Sequence, residues 1–219
     1  MAVGDSMKRR NIIVFALIAL LLAAALLVIN YFFPKKYQNS DFGIETYISA
    51  TDRDGDGIDD QTDILAGVRE YIKTKPKYKS KYYAGGWPDD GFGVCTDVVA
   101  QGLLSAGYDL QYLVDEDIRR RPDDYSIEKA DDNIDFRRVR NLLVYFSHTA
   151  ISLTTDPYDI AEWQGGDIVV FEHHIGIVSD RRNRDGIPYI IHHANPSQIQ
   201  YEENVLLSHD DIVGHFRIS

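Results

Sequence analysis

Among 219 residues there is one cysteine, Cys95, and the stretch it opens, CTDVVAQGLLSA, carries Val98, Val99, Leu103, Leu104 and Ala106 at helical spacing, with Gly107 as a C-cap. Cys95 is therefore expected at a helix start, where unpaired backbone amides and the helix dipole favour a thiolate and lower the thiol pKa. Asp97 in the same turn opposes this by like-charge repulsion, unless its carboxylate turns outward or caps backbone amides. One cysteine forms no intramolecular disulfide, and the bland reading of a free thiol is a small buried hydrophobe.

Nucleophilic chemistry at a thiol also needs an imidazole within reach and a third polar group to hold that ring. Seven histidines are available. His174 begins the apolar run Ile175–Val178, so it is expected at a strand start facing a neighbouring helix end, as the base. His192 follows Ile190 and Ile191, and a hairpin between the two strands brings the two imidazoles together. His193 then faces the opposite side of the sheet. His148, His173, His209 and His215 read as surface groups or satisfied core histidines. One cysteine and a His-His pair have no zinc-ligand spacing.

A second cluster points to a cation. Thr51 to Asp63 reads TDRDGDGIDDQTD, and with Asp52 at position 1 of a twelve-residue loop, Asp54, Asp56, the Ile58 carbonyl, Asp60 and Asp63 fall at positions 3, 5, 7, 9 and 12, which is calcium-loop spacing. Gly57 supplies the sharp turn at position 6. Asp at position 12 and Asp59 at position 8 make the loop similar to the aspartate-rich repeats of thrombospondin type 3 and dockerin-like modules. The expected role of Ca2+ is structural, against the alternative of a solvated acidic turn. The alternating Lys73, Lys75, Lys77, Lys79 and Lys81 would share one face of an extended segment, either as a solvated edge or as a docking strip for anionic wall polymer.

These residues must be positioned by a chain with one anchor and one globular domain, since 44% hydrophobic residues over this length bury a single sizeable core. Residues 1–10 form an N-terminal segment with Lys8, Arg9 and Arg10, and residues 11–33 contain the 18-residue apolar run Ile12–Ile29, about the length that crosses a hydrocarbon core. The basic triplet keeps the N-terminus inside and sends the rest outward, an orientation that Lys35 and Lys36 weaken. A cleaved signal peptide is the rival; its apolar region is about 7–15 residues long and is followed by small residues, whereas here bulky aromatics follow. Residues 34–50 are expected as a linker, 51–63 as the acidic loop and 64–219 as the catalytic-type domain. Beyond residue 33 there are 20 basic and 33 acidic side chains, which argues against nucleic acid as a partner. A short helix over Ile64–Ile72, the Cys95 helix and a helix over Ile134–His148 precede strands in DIVVF, HIGIVSD, IPYIIHH and IVGHFRI, so the fold class is α+β with an antiparallel sheet.

The stretch YYAGGWPDDGFGVCTDVV, followed in order by GGDIVVF, HIGIVSD and IIHHA, resembles the NlpC-type branch of the papain-like cysteine peptidases. It departs from that branch by one extra residue between Phe92 and Cys95 and by Thr-Asp after the cysteine. With NIDFRRVRNL and WQGGDIVVF, the sequence from about Thr62 onward resembles a narrower bacterial family of unknown function, the YijF-like proteins. The resemblance implies a papain-like fold with the nucleophile helix packed on the sheet, Cys95 attacking an amide carbonyl, His174 as base and then acid, and His192 orienting the ring of His174. It further implies main-chain amides as oxyanion donors, with Tyr82 or Tyr83 contributing. Arg137 and Arg138 are candidates for a substrate carboxylate, or surface arginines of a helix.

The function expected on these grounds is a single-pass, membrane-anchored, extracytoplasmic cysteine amidase or peptidase acting on peptidoglycan or other cell-wall peptides, with no cofactor for the chemistry. Papain-like sites also host acyltransferases and other thiol hydrolases. A non-catalytic calcium-dependent binding module is the alternative from a different class.

Overall fold

The structure, a computed structural model, describes residues 2–32 and 35–218. Phe33 and Pro34, the outer end of the expected span and the start of the expected linker, lie outside the described residues, as do Met1 and Ser219. The chain divides into two units, residues 1–36 and 37–219. In the first, helix α1 (Ala2–Phe32) contains Asn11–Val28, which is long and apolar enough to cross a membrane.

The second unit is a mixed α+β domain. Helix α2 (Asp60–Lys73) starts four residues before the apolar pattern, because the Asp59 carboxylate accepts from the Thr62 amide and hydroxyl and caps it. Strands β1 (Lys77–Tyr78) and β2 (Phe92–Gly93) form a short parallel pair that leads into helix α3 (Cys95–Ser105). Helix α4 (Leu110–Arg120), capped by the Asp109 carboxylate, was not evident in the sequence pattern. The single helix expected over Ile134–His148 is divided: a 3-10 turn (Asp135–Arg137) is separated from α5 (Val139–Thr149) by Arg138, whose backbone is extended. Strands β3 (Ile151–Ser152), β4 (Ile168–Phe171), β5 (Ile175–Arg182), β6 (Pro188–Ile191), β7 (Glu202–Glu203) and β8 (Ile212–Arg217) pair antiparallel in the order β3-β8-β4-β5-β6-β7.

Both faces of the central strands are covered. Ile168, Val170, Ile175, Ile177 and Ile191 join Val98, Val99, Leu103 and Phe136 in the helical core, while Val169, Phe171, Val178 and Ile190 pack with Trp163 and Leu206 on the other face. Helix α3 sits between α2 and β5. Close approach of α2 and α3 depends on small residues: a Cβ on Gly102 would lie 3.2 Å from the Ile64 carbonyl, and one on Gly67 would collide with Ser105. The nucleophile candidate is thus carried on a helix clamped from both sides.

Residues 37–50 are not a free linker. Tyr37 exchanges two 2.8 Å backbone hydrogen bonds with Arg182, and the Asn39 amide donates to Gln164 Oε1 at 2.8 Å while its Oδ1 accepts from the buried Arg182 Nε at 2.6 Å. A buried guanidinium needs acceptors, and this segment supplies one of them. The five lysines do not share a face either. Lys73 ends α2, the backbone of Lys75 is left-handed with φ of 53°, and Lys81 turns inward to pair with Asp90.

Candidate functional site

Cys95 is the first residue of α3, after Val94 in extended backbone, and it packs partly buried against the helical core. Asp97 resolves its own conflict: one carboxylate oxygen accepts from the Val94 amide at 2.8 Å, and the carboxylate is paired bidentately with Arg137 at 2.6 and 2.9 Å. The negative charge beside the thiol is therefore paired within the core, although it still adds to the upward push on the thiol.

The thiol lies against β5. The amides of Ile175, Thr96 and Cys95 favour its anion, yet burial dominates and pushes the thiol up to about 11. The expectation of a lowered thiol pKa at the helix start is overturned, because desolvation of the sulfur outweighs the three amides. We expect alkylation of Cys95 by iodoacetamide, followed against pH, to inflect well above the free-thiol value of about 8.5, so that labelling at pH 7 runs roughly 10²-fold slower than in the denatured chain. An inflection below about 8.5 that rises in His174→Ala would instead indicate a preformed thiolate-imidazolium pair.

His174 precedes Ile175, and its carbonyl accepts from the Phe171 amide at 2.8 Å, which closes the β4-β5 turn. The hairpin pairs Ile177 with Ile191 and so brings in His192, whose Nδ1 lies 2.8 Å from His174 Nε2. Burial, with repulsion from His192 and His209, lowers the His174 imidazole to about 3, so it is neutral at ordinary pH. His192 Nε2 lies 3.2 Å from Glu203 Oε2, off the line of a hydrogen bond, and the same oxygen accepts from Gln198 Nε2 at 2.9 Å. With the His192 proton on Nε2, toward the carboxylate, His192 Nδ1 would accept from His174 Nε2–H. In that tautomer the lone pair of His174 would sit on Nδ1. Glu203, on β7, was absent from the sequence reading; no short-range pattern ties a two-residue edge strand to a histidine on its neighbour.

The other expected site residues divide. Arg137 is not available to a substrate carboxylate: its side chain is 2% exposed, Asp97 holds two of its nitrogens and the Lys81 carbonyl accepts from a third at 2.9 Å. Arg138 is half-exposed, with Nε 3.6 Å from Asp135 Oδ1. Tyr82 is exposed and its hydroxyl lies 3.2 Å from Asp131. Tyr83 is buried, donates to Asp90 Oδ1 at 2.7 Å and lies under the Arg137 guanidinium. Neither tyrosine hydroxyl is hydrogen-bonded to Cys95 among the described residues.

His193 is buried between Tyr78 and Tyr201 at ring distances of 5.3 and 5.1 Å, with its Nδ1 unpartnered. His215 is a satisfied core histidine, stacked on Trp163 and 3.0 Å from the buried Asp167. His148 pairs with Asp117, and His173 is exposed. His209, read as uncoupled, stacks on Phe171 with its ring 6.3 Å from that of His174.

In the acidic loop, the carboxylates of Asp52, Asp54 and Asp56 converge within 4.8 Å of one another. Asp60 does not join them. It is 1% exposed, and its two oxygens accept from the Arg53 amide at 2.8 Å and the Tyr108 hydroxyl at 2.5 Å. Position 9 of the loop is thereby turned into the core, because Tyr108 after α3 needs an acceptor.

The model of the domain of unknown function DUF1287 matches residues 65–218. The uncharacterized protein YijF of Escherichia coli (strain K12) is 38% identical over 167 residues, covering 70% of this chain and 80% of that protein. No solved structure matches.

Proposed function

The chain belongs to the DUF1287 family, whose shared region contains Cys95, His174, His192 and Glu203, and from that premise we propose that the domain is a papain-like, NlpC-type cysteine amidase or peptidase. The observation that carries the proposal is the 2.8 Å contact between His174 Nε2 and His192 Nδ1 beside a thiol packed on Ile175. In this reading Cys95 is the nucleophile, His174 the neutral base and His192 the orienting group.

In the proposed reaction the thiol and imidazole start neutral. As Cys95 Sγ bonds to the amide carbonyl carbon, its proton passes to His174 Nδ1, and the Cys95 and Thr96 amides, released from the sulfur, receive the oxyanion. Collapse breaks the C–N bond, and His174 returns the proton to the departing amine. Water, deprotonated by His174, then cleaves the thioester to a carboxylate and restores the thiol.

The proposed substrate is a cell-wall stem peptide, and the proposed topology places the domain outside the membrane. The support is α1 and the basic triplet before its apolar run. The test is digestion of purified peptidoglycan by the full chain in detergent, read by mass spectrometry. One new amine and one new carboxylate should appear per cleavage, and none with Cys95→Ala. Products carrying an added nucleophile in place of water would place the same acyl-enzyme in acyl transfer. No product from any wall preparation, together with an alkylation-inert Cys95, would leave a non-catalytic binding module.

A further inference from the structure

The Asp52, Asp54 and Asp56 carboxylates are exposed and their repulsion could be relieved by water alone, so the cluster by itself does not require an ion. Asp63 changes this. It lies at position 12 of the same loop, one turn into α2, is only 8% exposed, and its Oδ2 is buried without any hydrogen-bond partner. A carboxylate oxygen taken out of water and left unpartnered costs free energy on the scale of a lost charged hydrogen bond.

The backbone around these side chains is held by hydrogen bonds from within the loop. Asp52 accepts from the Gly55 and Gly57 amides at 2.8 and 2.9 Å, and Asp56 accepts from the Ile58 amide at 2.8 Å. Each of these carboxylates keeps lone pairs to spare. Hard oxygen donors of this number and spacing suit Ca2+, which tolerates irregular geometry, better than Mg2+.

We propose that the loop binds one Ca2+ through Asp52, Asp54, Asp56, the Ile58 carbonyl and Asp63, with Asp60 excluded from the ion and fastening the loop to the nucleophile helix. The fastening is visible: Arg53 Nε donates to the Gly107 carbonyl at 3.0 Å, the Arg53 guanidinium covers the Tyr108 ring, and Tyr108 bonds Asp60. The ion therefore links the N-terminus of α2 to the C-terminal end of α3, the helix that carries Cys95 at its other end. This site is independent of the proposed hydrolase chemistry.

The experiment is calorimetric titration of the full chain in detergent, stripped with chelator, with CaCl2 and separately MgCl2, alongside melting curves. One saturable Ca2+ site with Kd below about 1 mM is expected, with the melting temperature rising by roughly 3–5 °C per tenfold excess of Ca2+ above Kd. Asp63→Asn and the exposed Asp54→Ala should each weaken binding at least about tenfold, or one factor of ten per 1.4 kcal/mol lost. Asp60→Asn should lower the melting temperature of the chelated protein while leaving Ca2+ affinity within about threefold. Should Asp63→Asn not fold, Asp54→Ala alone decides. No saturable binding up to about 10 mM Ca2+, or equal affinity for Mg2+, overturns the site, and loss of affinity in Asp60→Asn matching that in Asp54→Ala overturns the ligand set.

Discussion

On the proposed chemistry, replacing His174 with alanine is expected to lower kcat/KM on the proposed wall-peptide substrate by roughly 10⁴-fold at pH 7 while leaving the fold intact. The magnitude follows from the thiol. With the Cys95 pKa pushed up to about 11, only roughly one molecule in 10⁴ carries a thiolate at pH 7, and without a base only that fraction attacks. The pH dependence separates this from simple structural damage. His174, lowered to about 3, is neutral and able to accept a proton throughout the range above about pH 4, so the wild-type rate should show no acid limb near the ordinary histidine value of about 6.5. The residual rate of His174→Ala should instead climb about tenfold per pH unit until the thiol titrates. His192→Ala, which removes only the group orienting the base, should cost roughly 10²-fold, mainly in kcat. A His174→Ala protein that retains activity would end the assignment, whereas a wild-type acid limb near about pH 6.5 would show only that the working imidazole is not desolvated.

The second large effect is on stability. Asp97 and Arg137 are 1% and 2% exposed and paired through two hydrogen bonds, so Asp97→Ala leaves a buried guanidinium without its counter-charge. The expected loss is about 3–5 kcal/mol in chemical denaturation. The double variant Asp97→Ala with Arg137→Met should recover part of that loss, since neither charge is then stranded. Because Asp97 also accepts from the Val94 amide, it fixes the turn from which Cys95 springs. Asp97→Asn keeps one acceptor and should fall between wild type and Asp97→Ala. Equal stability of Asp97→Ala and wild type would show that the pair does not hold the α3 start.

The sequence by itself determined what depends on residues within a turn or a strand pair of one another. Helical spacing after Cys95 put the cysteine at a helix start, period-two strands around Ile175–Val178 and Ile190–Ile191 brought His174 to His192, the alternating Asp52, Asp54 and Asp56 came together as one carboxylate cluster, and an unbroken apolar run marked the membrane-length helix. The α+β class with an antiparallel sheet followed from the same patterns. Only the tertiary structure decided the rest. Arg137 meets Asp97 across 40 residues, Glu203 reaches His192 from an edge strand, Tyr108 draws Asp60 out of the loop, and Arg182 draws residues 37–50 onto the domain. The sign of the thiol shift belongs here too, since helix-end amides are local while desolvation depends on everything packed around the sulfur. Backbone pattern reaches a few residues, whereas a buried charge or donor takes whichever partner the packed core brings within about 3 Å.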